Sequence, residues 1–245
     1  MHFATQIRHL SRYKVRILDL VTVNKNMQNK MRSDVIGAGF IGFFMAILFL
    51  VIEYSTLTVI RPDEPPPIYY WLSLIIFPAG SSLGMFLVND IRKKVSAKFS
   101  LIYEFYKFTL VGGMNIFIDT TIYNGLIVVN GLMLGNEVLA FKGIAFIVAV
   151  INSYFWNKKW TFSETNRGSV GQFSKFLVVS IIGLAISLGS IQIIVTTISP
   201  IDNIHPLTSA NIGQATAVVL SAAWNFIGYR YLIFKNARAN KKFPE

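Results

Sequence analysis

The run from Val35 to Ile60 constrains this chain more than any other feature. About twenty consecutive apolar residues suffice for an α-helix to cross the hydrocarbon core of a bilayer. Comparable stretches recur at Ile68–Val88, Phe108–Val129, Val138–Trp156, Phe176–Ile198 and Ser209–Tyr229. Lipid offers backbone polar groups no partner, so each stretch must satisfy its own hydrogen bonds as a helix. The composition agrees, with 53% hydrophobic and 14% charged residues, where soluble domains carry about 25% charged. The expectation is an all-α polytopic membrane protein with six transmembrane helices.

Charge placement orients it. Of the 23 Lys and Arg, all but Arg61 and Lys142 fall in segments that six spans put on the side of the two termini. Cytoplasmic segments carry the excess of Lys and Arg, so both termini are expected in the cytoplasm of a bacterial-type plasma (inner) membrane. The net charge of +11 then reflects topology and contact with anionic membrane lipid, and no nucleic acid partner is expected. With no Cys there is no disulfide framework, thiolate metal site or thiol nucleophile. No metal and no cofactor are expected.

The segments between the spans have their own character. Residues 1–33 lack the apolar core of a signal peptide. Phe3, Ile7, Leu10, Ile17 and Val21 recur near helical spacing among Arg8, Arg12, Lys14 and Arg16, which predicts an amphipathic helix in the cytoplasmic interface; a loosely ordered basic tail is the alternative. Gly37, Gly39 and Gly42 permit close helix approach. Arg61–Pro67 predicts a stiff external turn, and Pro78 with Gly80 and Gly84 a kink or a close contact. Residues 89–106, too polar to span, predict a second interfacial helix. A basic tail, 237–245, closes the chain.

The second half is duplicated. Ile151–Phe162 and Asn225–Phe234 both close an apolar run on an aromatic, a cation and a final Phe. Aligning Phe162 with Phe234 pairs Ser153 with Asn225, Tyr154 with Phe226, Asn157 with Tyr229 and Lys158 with Arg230. The starts match as well, KFTLVGG from Lys107 with KFLVVSI from Lys175. Each unit, 107–162 and 175–234, holds two spans. Both units insert the same way up, as a parallel repeat.

These residues resemble the GtrA-like family of small four-span membrane proteins. That pattern has a Lys-Phe, Gly-rich start, an Asn and an Asp on the first helix, and an Asn-Phe-x-x-Asn-Arg-x-Trp-x-Phe exit. KFTLVGGMNIFID, 107–119, is similar to the start and its polar pair. SYFWNKKWTF, 153–162, is similar to the exit, with Ser153 for Asn, Tyr154 for Phe and Lys158 for Arg. The second exit keeps Asn225 and Phe226 but lacks the Trp. The resemblance covers 107–236, and residues 34–106 form an accessory pair of spans with a linker. It implies translocation of a polyprenyl-phosphate-linked monosaccharide for cell-surface polysaccharide glycosylation. Related modules are fused to dolichol-phosphate-mannose-type glycosyltransferases, so glycosyltransferases are candidate partners, as is a second copy in a homo-oligomer. No soluble catalytic domain or Asp-x-Asp motif is present, and the chain is not expected to be an enzyme. A non-transporting anchor for a glycosyltransferase and a small-solute transporter are the other readings.

Two groups of residues could carry the work. Asp119 lies about 11 residues into its span, roughly 16 Å deep, where an unpaired carboxylate costs at least about 3 kcal/mol. Asn115 and Tyr123 share its face. This stripe either binds hydroxyls on a sugar path or serves as helix–helix glue, bonded to Asn152 or Gln192. Lys142, matched by Gln214 in the second unit, binds the lipid phosphate or snorkels outward. A Lys142–Asp119 pair is possible but strained, because the two differ in depth by about 10 Å. Asn225 completes the intramembrane polar set. The second group is a cytoplasmic ring of Lys107, Lys158, Lys159, Lys175 and Arg230, with Trp156 and Trp160 beside it. It suits a lipid phosphate and its sugar, or simply sets topology with an aromatic belt.

Overall fold

The computed structural model describes residues 2–60, 67–94, 100–130, 136–164, 168–198 and 206–235. They form six long helices: α1 (His2–Ile60), α2 (Ile68–Lys94), α3 (Ser100–Asn130), α4 (Asn136–Trp156), α5 (Val170–Ile198) and α6 (Pro206–Gly228). Among the described residues, four helical stretches are long and apolar enough to cross a membrane: Lys25–Tyr54, Ile68–Ile91, Leu139–Thr161 and Val170–Thr197. The chain is a multi-pass helical membrane protein. α3 and α6 exceed the length of a span, but Asn115 and Asp119 on one, and Ser221 and Asn225 on the other, lower their apolarity.

Two local expectations change. The amphipathic segment 1–33 and the first span form one uninterrupted helix. No Pro or Gly precedes Gly37, so polarity changes along α1 while nothing stops the backbone hydrogen bonding. The linker helix expected over 89–106 is divided: Asn89–Lys94 ends α2, and Ser100–Tyr106 begins α3. The structure describes the backbone but not the side chains over 2–20, so the amphipathic face there is outside it, as are most of the Arg61–Pro67 turn, the loop around Asp202 and His205, and the tail 237–245.

Helices pair as hairpins, α1 with α2, α3 with α4 and α5 with α6, and α3 also packs on α1 and α2. Gly42 sits directly against the Phe77 carbonyl of α2, where any Cβ would collide. That carbonyl is next to Pro78, inside α2. Gly84 receives the Tyr106 hydroxyl of α3, which the Ser81 carbonyl accepts at 3.1 Å. The close contact anticipated around Pro78–Gly84 therefore packs α2 on α1 at one face and on α3 at the other.

α4 and α6 each end in a π-helical turn, Asn157–Thr161 and Tyr229–Ile233. The Phe162 N–H donates to the Asn157 carbonyl at 2.9 Å, and the Phe234 N–H to the Tyr229 carbonyl at 2.8 Å. The same rare geometry thus falls on residues that the alignment pairs. The aromatics there form a core. Phe162 and Phe234 stack with centroids 5.1 Å apart. Phe108 meets Phe226 at 5.4 Å, and its counterpart Phe176 meets Tyr154 at 5.3 Å. The first helix of each unit therefore packs on the exit of the other.

Candidate functional site

α4 and α5 touch little, as do α3 and α6. Where the two C-terminal hairpins face each other they leave a cavity of roughly 560 Å³. Its apolar walls include Phe108, Phe146, Val150 and Leu184. Its polar groups come from all four helices: Asn115 and Asp119 on α3, Lys142 and Ser153 on α4, Ser180 and Ser187 on α5, Ser221 and Asn225 on α6. Asn157 and Tyr229, the first residues of the π turns, line it too.

Most of these groups have partners within the chain. Asn152 donates to the Asn115 side chain at 2.7 Å, tying α4 to α3. Ser180 bonds the Tyr229 hydroxyl at 2.7 Å and the Phe176 carbonyl at 2.9 Å. Two acceptors do not. The side-chain oxygens of Asn157 and Asn225 are buried without a hydrogen-bond partner. Asn157 is 1% exposed, and its amide nitrogen is held by the Ser153 carbonyl at 2.9 Å. An unsatisfied buried acceptor costs about 1–3 kcal/mol, a penalty that a hydroxyl-bearing ligand or water in the cavity removes.

Lys142 and Asp119 form an ion pair, with Lys142 Nζ also 5.4 Å from the Tyr123 ring centre. The pair judged strained from the sequence is made. α3 runs to Asn130 and α4 begins at Asn136, which reduces the depth difference to about 7.5 Å, within reach of a flexible four-carbon stem and a carboxylate together. Asp119 is bonded to neither Asn152 nor Gln192; Asn152 goes to Asn115. Gln192 and Gln214 are exposed, away from the cavity lining.

The cationic ring divides. Lys107 is 1% exposed. It pairs with Asp34 of α1 at 2.5 Å, donates to the Trp160 carbonyl at 3.2 Å and lies 4.9 Å from the Tyr103 and Trp160 rings. Tyr103 donates to the other Asp34 oxygen. Arg230, also buried, pairs with Glu104 at 3.2 Å. Lys158 is buried over the Tyr154 ring. Lys159 and Lys175 are exposed. Trp156 and Trp160 meet edge to face, and Trp156 stacks on Phe40 of α1. None of these seven residues lines the cavity. Asp34, Glu104, Asn157 and the cavity serines were not among the candidate site residues; Asn157 and Ser153 were marked only as positions of the duplicated exit. A buried acid opposite a buried base leaves no local pattern, and serine satisfies itself on a helix carbonyl one turn back.

A polar cavity among four helices, of which α4 and α5 are long and apolar enough to cross a membrane, marks a multi-pass helical membrane protein with a candidate binding site. A model of the GtrA/DPMS transmembrane domain matches residues 107–241, and the chain belongs to that family. The match takes in α3 from Lys107 onward, α4 to α6 and both π turns, and leaves the α1–α2 hairpin outside. No curated protein and no solved structure matches the chain.

Proposed function

We propose that this protein carries a polyprenyl-phosphate-linked monosaccharide across the membrane, through the cavity between the α3–α4 and α5–α6 hairpins, without altering it chemically. The observation that carries this reading is the cavity itself. Unpartnered acceptors at Asn157 and Asn225 suit sugar hydroxyls, Lys142, the one cation lining the cavity among the described residues, suits a phosphodiester, and apolar walls suit the first isoprenes. Family membership supports the ligand class. The decisive measurement is transbilayer movement of a polyprenyl-phosphate monosaccharide in proteoliposomes. Wild-type protein should exceed empty vesicles, and Asn157→Leu with Asn225→Leu should lower the rate about tenfold or more, the value of two lost hydrogen bonds. Movement no faster than in empty vesicles would discard transport in favour of an anchor for a glycosyltransferase.

The same reading takes all six helices as spans, with α3–α6 a parallel duplication and both termini cytoplasmic in the plasma membrane. The matched π turns and the reciprocal aromatic contacts support the duplication, and the placement of Lys and Arg supports the orientation. Single cysteines at Asp63 and Asn203 of this Cys-free chain should react with an impermeant thiol reagent added to intact cells. A cysteine at Arg167 should react only after lysis. Labelling of Arg167 from outside would end the six-span arrangement.

A further inference from the structure

We infer that Asp119 is a resident counter-ion, holding Lys142 in the empty cavity until the phosphate of the lipid-linked sugar takes its place. This rests on the proposed function and deepens it. Among the described residues, Asp119 and Lys142 are the only charged groups lining the cavity. Each is the other's partner. The aromatic ring of Tyr123 is the further group at the ammonium, and Asn115, one turn from Asp119, is already bonded to Asn152. The lysine side chain is 55% exposed and the carboxylate 21%, so an incoming anion reaches the ammonium without first opening the bundle.

The exchange is one for one. A glycosyl phosphodiester carries a single negative charge, as Asp119 does, and Lys142 offers a point charge on a flexible stem. When the phosphate takes Lys142, the freed carboxylate becomes an acceptor for the sugar hydroxyls. The aspartate also explains how a cationic site in a membrane of anionic lipids empties. A lone ammonium there would retain any phosphate, whereas Asp119 competes for it and restores the neutral pair on release.

The test uses full-length protein in nanodiscs, with three probes: a polyprenyl monophosphate, the same lipid bearing a monosaccharide, and phosphatidate. Lys142→Gln should weaken both polyprenyl lipids about tenfold, the value of one charge-assisted contact. Asp119→Asn, which removes the competitor while keeping the shape, should bind the sugar-free lipid about three- to tenfold tighter. It should also lose preference for the glycosylated lipid and move lipid more slowly. In Asp119→Asn with Lys142→Gln the tightening should vanish. Asp119→Asn that binds the sugar-free lipid as wild type or more weakly overturns the inference, as does a tightening that persists without Lys142. Failure of both Asp119→Asn and Asp119→Ser to insert overturns it too, since the carboxylate would then be structural. Equal gains for phosphatidate would reduce the site to a general lipid-phosphate contact and overturn the sugar assignment. If wild type binds neither polyprenyl lipid, the underlying functional reading fails instead.

Discussion

Asp34→Ala should destabilise the protein by about 3–5 kcal/mol, the cost of leaving one member of a buried ion pair without its counter-charge. Lys107 is 1% and Asp34 5% exposed, so water cannot replace the lost carboxylate. The Trp160 carbonyl at 3.2 Å and two aromatic faces remain around the ammonium, but none carries a negative charge. Tyr103 loses the Asp34 carboxylate as an acceptor at the same time. Thermal or denaturant unfolding in detergent should show the loss directly. Adding Lys107→Met should recover most of it, because the ring faces of Tyr103 and Trp160 already provide an apolar slot, and well-packed replacements of buried pairs are often neutral or stabilising. Wild-type stability in Asp34→Ala would show that α1 is held to α3 by packing alone. Failure of the double variant to recover would assign Asp34 a role beyond neutralising Lys107.

That pair also shows what the sequence could and could not reveal. Helix positions were legible because lipid leaves the backbone no other choice. The fate of a cation at the end of a span was not. Positive-inside bias predicts which side of the membrane Lys107, Lys158 and Arg230 occupy, and has nothing to say about whether an acid meets them. Asp34 reaches Lys107 from 73 residues away, and Glu104 reaches Arg230 from a helix outside the second unit. Helical spacing put Asn115, Asp119 and Tyr123 on one face; Asn115 and Asp119 line the cavity and Tyr123 does not. Depth arithmetic failed on the Lys142–Asp119 pair because the helices extend one residue past Val129 and two before Val138, a shift beyond composition to resolve. The continuous α1 was missed for a related reason: hydropathy marks where solvent changes, and a helix ends only where its hydrogen bonding is broken.

Phe162→Ala and Phe234→Ala should each cost about 3 kcal/mol, the low end for removing a buried Phe, since in a membrane the loss is one of packing more than of transfer from water. The two residues are 3% and 1% exposed and stack on each other at 5.1 Å. Each closes a π turn through its own N–H. If the units are copies of one module, the two substitutions should cost nearly the same. They should also fall short of additivity by about 0.5–1.5 kcal/mol, the coupling of an aromatic pair, because the second removal finds the stack already broken. The loss should extend to the cavity. Asn157 and Tyr229 begin the turns that these phenylalanines end, so either variant should slow lipid movement while the α1–α3 contact at Asp34 stays intact. A double-mutant cycle by unfolding in detergent, with the transport assay alongside, reads both. Strict additivity, or a cost confined to one residue, would mean that the two exits do not form a shared centre, and the duplicated carrier would give way to a first hairpin that works while the second merely packs against it.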